Sequence, residues 1–215
     1  MDVRQYMPTE KGLKVGQNTG VRFETVFLSK NPPDDERIDR LIYWCQRLDG
    51  LGLTPKSAGN LSFRTGEGFV ITGTGINLGA LEREELVEVL KVETERSQIL
   101  VYVNGRVVPS KESLLHSEVY DSRREINSVF HVHDQLVIEL ADELKIPCTE
   151  KEQPRGSQEL VKEVNKLLGL KKDVKYFVLR NHGAIAMGET LQEAGRLAES
   201  MNKMAQDRIG KKGVR

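Results

Sequence analysis

The chain reads Ser128-Val129-Phe130-His131-Val132-His133 at its centre, a run in which apolar residues surround two histidines. Its β-branched and aromatic residues predict a short buried strand. Side chains two positions apart on a strand point to the same face, so the imidazoles of His131 and His133 are expected to converge. The apolar positions that follow, at 136, 137, 140, 141 and 144, have the spacing of a helix.

Strands and helices alternate on both sides of this run. Apolar alternation predicts a strand at 21–28, and Asn104-Gly105 after residues 99–103 predicts a hairpin. The other expected strands lie near 60–64, 67–72, 86–92, 176–180 and 184–187. Helices are expected to begin at 32–35, after the N-cap residue Ser110 and after Thr190. Another helix is expected to span 157–168. This α/β order with several hairpins favours a mixed sheet with helices on its faces.

Composition narrows the class of protein. The chain has 215 residues, with Lys+Arg and Asp+Glu equal at 32 each, so no net field favours nucleic acid. No run is apolar enough to span a membrane or to form the core of a secretory signal, so we expect a cytoplasmic protein with no membrane partner. The two cysteines, Cys45 and Cys148, are too few for a disulfide framework. We expect a flexible arm at 1–19, one domain at 20–209 and a basic tail at 210–215.

The histidines indicate a metal centre. The chain has four, at 116, 131, 133 and 182, and His182 lies between a predicted strand and Gly183. Glu112, in the first turn of a predicted helix, is the best acidic partner; Asp134 is an alternative, although one strand step from His133 it points to the other face. We therefore predict that Glu112, His131, His133 and His182 bind one divalent ion, with zinc the first choice and manganese, cobalt, nickel or iron open.

An ordinary structural role for the same residues remains the alternative. A His-X-His pair is more often packed or exposed than metal-bound. His116 and Tyr120 share a helical face with Glu112, and each is expected either to support the ligands or to be structural.

Three hydroxyl-rich segments form a candidate anion pocket. They are residues 57–62, residues 72–75 and Ser110-Lys111. Glycine allows backbone N–H groups to approach an anion, and the start of a helix favours negative charge. Each segment alone is typical of an ordinary turn, but Lys111 directly precedes Glu112. The adjacency predicts one site with both an anion pocket and a metal.

The ordered motifs resemble the class II aldolase/adducin family. They are Gly59-Asn60-Leu61-Ser62-Phe63-Arg64, Ile71-Thr72-Gly73-Thr74-Gly75, Pro109-Ser110-Lys111-Glu112, His131-Val132-His133 and Arg180-Asn181-His182-Gly183. The similarity runs from about residue 36 to 200. It implies a three-layer α/β/α sandwich with a central mixed sheet, of the fuculose-phosphate aldolase type.

The resemblance also implies roles. His131, His133 and His182 match metal ligands, and Glu112 matches a residue that serves as ligand and general acid/base. The matching phosphate positions are Gly59, Asn60, Thr74, Gly75 and Ser110. The implied protein is a cytoplasmic homotetramer acting on a phosphorylated sugar as a metal-dependent lyase, through aldol cleavage and a metal-stabilised enediolate. A sugar-phosphate 4-epimerase, a methylthioribulose-phosphate-type dehydratase, a non-catalytic sugar-phosphate binder and an adducin-like structural protein remain alternatives.

Three departures from the family pattern stand out. The usual Pro-Ser-Ser-Glu is Pro-Ser-Lys-Glu here, so Lys111 either binds phosphate or selects another anion. The usual Thr-Pro-Ser/Thr-Gly is Thr-Gly-Thr-Gly at 72–75. The tyrosine that family aldolases often carry after the residue matching Pro147 is absent from 148–153, so the distal acid differs or is missing.

Overall fold

A computed structural model describes residues 22–95 and 98–212. Its strands are β1 (Arg22–Ser29), β2 (Asn60–Arg64), β3 (Phe69–Thr72), β4 (Leu86–Glu95), β5 (Gln98–Gly105), β6 (Ser128–Val132), β7 (Tyr176–Leu179) and β8 (Gly183–Gly188). They form one sheet in the order β1-β5-β4-β3-β2-β6-β8-β7. The β1–β5 pair is parallel and the other neighbouring pairs are antiparallel. The predicted mixed sheet is therefore confirmed.

Helices cover both faces of this sheet. They are α1 (Ile38–Gly50), α2 (Ser113–Ser122), α3 (Gln135–Leu140), α4 (Gln158–Leu170) and α5 (Leu191–Lys212). One core packs α1, α3 and α5 against the sheet around Trp44 and Phe130. A second core packs α2 and α4 against the opposite face around Val119 and Phe177. Two separate cores on one sheet confirm the three-layer α/β/α sandwich.

The alternation of β6 decides which side chains meet α2. Phe130 and Val132 belong to the core under α1, α3 and α5, whereas Val129 belongs to the core under α2 and α4. His131, two residues beyond Val129, therefore faces the α2 side. In β2, Leu61 and Phe63 face away from α2, so Asn60 and Ser62 point towards it. The pairing of Asn60 with His131 aligns these polar positions across the two strands.

The predicted hairpin at Asn104-Gly105 is wrong. Both residues lie inside β5 and pair with Glu88 and Val87 of β4, and the two strands connect instead between residues 95 and 98. Gly105 has φ +145°, and a Cβ there would lie 3.0 Å from the Val87 side chain. Close packing between strands, and not a turn, accounts for this glycine.

Several element ends also differ from the sequence prediction. Helix α1 starts at Ile38 rather than at 32–35, because Asp35 instead binds the backbone N–H and guanidinium of Arg37. The N-cap of α2 is Glu112 rather than Ser110, and α3 ends at Leu140. Thr190 does hold the start of α5, since its hydroxyl accepts the Glu193 N–H at 3.1 Å.

The predicted arm and tail lie mostly outside the described residues. Residues 1–19 are outside, as are 213–215, whereas 210–212 continue α5 instead of forming part of a tail. Among the described helices, none combines the length and apolarity that crossing a bilayer requires.

Candidate metal and anion site

Three imidazoles converge where β6 ends and β8 begins. His131 is near the end of β6, His133 follows that strand, and His182 occupies the turn between β7 and β8. Their ring centroids are 4.8 to 5.3 Å apart, and their ligand nitrogens all lie within 4.8 Å of one another. The convergence predicted for His131 and His133 thus extends to His182, which comes from a distant part of the chain.

Local backbone geometry places His182. Asn181 adopts φ +55°, a conformation that asparagine tolerates better than most residues, and the His182 N–H donates to the Leu179 carbonyl at 3.0 Å. Gly183 then starts β8 directly against His131, where a Cβ would lie 2.5 Å from His131 Cε1. The absence of a side chain at Gly183 therefore makes room for the neighbouring imidazole of His131.

Glu112 completes the cluster. Its carboxylate lies 3.2 Å from His131 Nε2 and 3.3 Å from His182 Nε2, and it is buried at the start of α2. Asn60 Nδ2 donates to Glu112 Oε2 at 2.8 Å. One carboxylate and three imidazoles from separate elements therefore share a small buried volume.

The histidines are neutral at physiological pH. Burial lowers the pKa of His131 and of His133 to about 4, and lowers that of His182 to about 3. His131 Nδ1 lies 3.2 Å from the Ala184 carbonyl oxygen, which can only accept a hydrogen bond. In the neutral ring this leaves the lone pair of Nε2 pointing at His133 Nε2, 3.0 Å away.

This donor set fits a divalent cation. Among the described residues, Glu112 Oε1 and both His182 ring nitrogens are buried without a hydrogen-bond partner. Buried polar atoms are rarely left unpaired, and lone pairs that face one another repel unless a proton or cation lies between them. Three neutral nitrogens and one carboxylate oxygen are a common ligand set for zinc and similar ions.

Asp134 is not part of the cluster. Its side chain accepts the Val137 N–H at the start of α3 and the Asn202 Nδ2 at 2.8 Å. The expectation that Asp134 points to the other face of the sheet therefore agrees with the structure.

His116 and Tyr120 meet at a hydroxyl that the sequence did not single out. Ser62 Oγ lies 2.7 Å from His116 Nδ1 and 2.6 Å from the Tyr120 hydroxyl, and the three residues are buried. Burial lowers the pKa of His116 to about 3 and raises the pKa of Tyr120. The contacts link β2 to α2 behind the metal cluster. The signal in the sequence was the two-residue step from Asn60 to Ser62.

The structure brings two of the anion-binding segments together. The Thr74 N–H donates to Val108 at 2.9 Å, and the Ser110 N–H donates to Thr72 at 3.2 Å. These two amides are therefore not free for an anion, contrary to the expected use of the backbone. The Ser110 hydroxyl accepts the Glu112 N–H, which leaves its own hydrogen available. Lys111 is exposed beside it.

The third segment, residues 57–62, runs up to the histidine cluster itself. Gly59 has φ +80° and packs on the His131 carbonyl, where a Cβ would come within 2.8 Å. Asn60 follows with its amide committed to Glu112. The structure thus ties Asn60 to the carboxylate, a contact that the phosphate role predicted for it does not include.

One segment beside the cluster was missed by sequence reasoning. Residues 149–156 run past the turn that holds His182, and the charge of Arg155 contributes to lowering the pKa of His131, His133 and His182. No periodic pattern or motif marks Arg155 in the sequence.

The chain is similar in sequence to proteins named as aldolases. The chain is 27% identical over 187 residues to L-fuculose phosphate aldolase of Methanococcus maripaludis, which covers 79% of this chain and 91% of that protein. It is 27% identical over 184 residues to a 5-methylthioribulose-1-phosphate/5-deoxyribulose-1-phosphate aldolase of Escherichia coli, covering 78% and 80%. These names agree with the predicted aldolase-type lyase.

The fold of the chain also matches that of a solved aldolase structure. The crystal structure of L-fuculose-1-phosphate aldolase from Thermus thermophilus aligns with a TM-score of 0.68 at 24% identity, covering 83% of this chain and 95% of that one. The model of the Class II Aldolase and Adducin N-terminal domain matches residues 39–209, which include the whole cluster. The chain therefore belongs to the class II aldolase and adducin family, as its motifs predicted.

Proposed function

We propose that this protein is a metal-dependent aldolase that cleaves and forms a carbon–carbon bond in a phosphorylated ketose. The observation that carries the proposal is the meeting of Glu112 with His131, His133 and His182 in one buried cluster. The hydroxyl-bearing segment at Ser110 adjoins Glu112 in the chain, so an anionic group and a reacting carbon fit within one small substrate.

The proposed ligands are Glu112, His131, His133 and His182, with zinc as the ion. When bound, the cation supplies Lewis acidity towards the negative charge that develops on substrate oxygens as the bond breaks. Burial keeps the imidazoles neutral and their lone pairs available. Glu112 is the group that moves a proton on the substrate, and Asn60 holds its carboxylate in place.

The proposed phosphate contacts are Gly59, Asn60, Thr74, Gly75, Ser110 and Lys111. Relatives named as aldolases of fuculose phosphate and of methylthioribulose phosphate support a phosphorylated substrate. Within the set, we assign the direct contacts to the Thr74 and Ser110 hydroxyls and to Lys111, because the Thr74 and Ser110 amides are already paired. Anchoring the phosphate orients the carbon chain over the metal ligands.

The experiment is Glu112→Gln, measured on zinc-reconstituted protein with a panel of ketose 1-phosphates and read by product mass. General acid–base catalysis contributes about 10²- to 10⁴-fold, so we expect turnover to fall by that factor while most of the zinc is retained. Glu118→Gln is the matched control, since Glu118 lies on α2 and binds Asn165 instead of a histidine. Absence of stoichiometric zinc in the wild type, or full activity in Glu112→Gln, would contradict the proposal. Epimerised or dehydrated products would reassign the reaction.

We also propose a cytoplasmic homotetramer. Support for the assembly comes from the family resemblance and from exposed apolar side chains such as Tyr43 and Leu170. Free thiols at Cys45 and Cys148 suit a reducing compartment. Light scattering tests the assembly, and cell fractionation tests the location.

A further inference from the structure

The segment from Thr149 to Gly156, here called the 149–156 segment, is fixed at both ends beside the metal cluster. At one end Arg180 donates from its backbone N–H to Thr149 Oγ1 and from Nε to the Thr149 carbonyl, each at 2.9 Å. Asn181 Nδ2 donates to Glu152 Oε2, also at 2.9 Å. These contacts attach the segment directly before His182.

The other end is attached directly before Glu112. Gly156 has φ +67°, and a Cβ there would lie 2.6 Å from the Lys111 carbonyl oxygen. Only glycine fits a left-handed conformation this close to backbone. The 149–156 segment therefore runs from the neighbour of His182 to the neighbour of Glu112, and Arg155 lies at the Glu112 end.

Arg155 carries a positive charge that nothing in the described part of the chain neutralises. Its side chain is exposed, and no residue within 22–95 or 98–212 forms an ion pair or hydrogen bond with it. Arg180, by contrast, is committed to Thr149. Arg155 directly precedes Gly156, which packs against the Lys111 carbonyl, so its backbone lies beside the residue that precedes Glu112.

The charges of the site are unbalanced when a divalent ion is bound. Within the described ranges, Glu112 is the single carboxylate that contacts the histidines, whereas the ion, Lys111 and Arg155 are all positive. Like charges that lie close together disfavour one another unless an anion lies among them. Glu152 of the same segment lies at the His182 end, where it accepts from the neutral Asn181 amide. A phosphate beside Lys111 offsets part of the excess, and Arg155 still has no ion-pair partner among the described residues.

We propose that Arg155 binds a carboxylate on the carbon chain of the substrate, so that the preferred carbonyl fragment is an aldehyde acid and not a neutral aldehyde. A guanidinium presents paired N–H donors that match the two oxygens of a carboxylate. This inference rests on the proposed function and names its substrate class. Arg155 is then the residue that decides specificity for the fragment distal to the phosphate.

The test compares two acceptor aldehydes in condensation with dihydroxyacetone phosphate. Tartronate semialdehyde and glyceraldehyde differ by a carboxylate in place of a hydroxymethyl group. We expect the wild type to prefer the acid, and Arg155→Gln to lower kcat/KM for the acid by about 10- to 100-fold while glyceraldehyde changes less than about threefold. Arg155→Lys should recover part of the loss.

Arg196→Gln is the matched control. Arg196 is an exposed arginine in the second turn of α5, and this helix starts next to Gly188, the end of β8 that is remote from His182. An equal loss of kcat/KM for both aldehydes in Arg155→Gln would overturn the proposal. Weaker competition by inorganic phosphate in that variant would overturn it too. Either result would mean that Arg155 binds the phosphate. A wild type without preference for the acid would overturn it too.

A binding measurement separates this inference from the aldolase assignment. Tartronate binding to zinc-loaded protein is followed by calorimetry, independently of turnover. If neither aldehyde reacts, the aldolase proposal fails, yet at least tenfold weaker tartronate binding in Arg155→Gln and not in Arg196→Gln supports the carboxylate site. Unchanged tartronate binding in Arg155→Gln overturns it.

Discussion

Replacing Gly183 by alanine should disturb the histidine cluster without changing any proposed ligand residue. A Cβ at this position would lie 2.5 Å from His131 Cε1, 3.3 Å from His131 Nδ1 and 2.7 Å from the Val132 carbonyl oxygen. Ordinary contacts at these atoms are near 3.5 Å, so the methyl group needs about 1 Å more room. The backbone of β6 cannot supply it, because Val132 pairs with Ala184 in the sheet.

The expected cost has two parts. Inserting a methyl group into packed surroundings costs about 1 to 3 kcal/mol of folding free energy. Displacing the His131 ring also weakens its contact with the Ala184 carbonyl, now 3.2 Å. Losing the support of one ligand typically lowers metal affinity about 10- to 100-fold. We therefore expect Gly183→Ala to lower both the stability of the metal-free protein and the affinity for zinc.

Gly169→Ala is the matched control with the opposite sign. Gly169 lies in the last turn of α4, and a Cβ there meets nothing within 4 Å. Alanine in a helix is favoured over glycine by about 0.5 to 1 kcal/mol, so this variant should be slightly more stable and bind zinc normally. Urea unfolding at fixed protein concentration and zinc competition against a chelator measure both quantities. A Gly183→Ala protein with wild-type unfolding and wild-type zinc affinity would refute the packing argument.

Three further predictions concern residues around the cluster. Asn60→Ala removes the hydrogen bond to Glu112, and since bonds to charged groups contribute about 1.5 to 3 kcal/mol, kcat should fall about 10- to 100-fold, as measured by steady-state kinetics. Asp134→Ala removes the cap of α3 and the partner of Asn202, and should lower the free energy of unfolding by about 1 to 3 kcal/mol in urea. In the metal-free protein, histidines with a reference pKa of 6.5 have pKa values of about 3 to 4 when folded, so the unfolded state binds more protons between those limits. Stability should hence fall as pH drops from 6.5 towards 4, by up to about 1.4 kcal/mol per pH unit for each histidine, and a flat urea midpoint across that range would contradict the burial argument.

The parts of this site that follow from local periodicity were predictable. A two-residue step in β6 put His131 and His133 on one face, and the helical step from Glu112 to His116 put both on the α2 side that faces the sheet. Neither step depends on distant contacts. The bond between Asn60 and Glu112, in contrast, depends on the register of β2 against β6 and on how α2 packs over them.

Features set by tertiary packing were missed or misread. Gly105 carries the sequence signal of a turn, but its conformation serves contact with Val87 across β4 and β5. Arg155 lies in a segment with no repeating pattern, and its position follows from what Gly156, Thr149 and Glu152 contact. Such contacts join residues far apart in the chain, so no window of sequence contains them.

The unpaired polar atoms of the cluster argue that it exists for binding rather than for stability. Glu112 Oε1, His182 Nε2 and His116 Nε2 are buried without hydrogen bonds among the described residues. Each such atom costs about 1 to 3 kcal/mol, and apolar side chains of similar size would avoid the cost. A bound cation offsets it for Glu112 and His182, which point at the shared volume. His116 is different, because its Nδ1 lies within hydrogen-bond distance of the Ser62 hydroxyl and burial lowers its pKa. We therefore propose that His116 holds β2 and α2 in register, and that Glu112 and the other three histidines bind the cation.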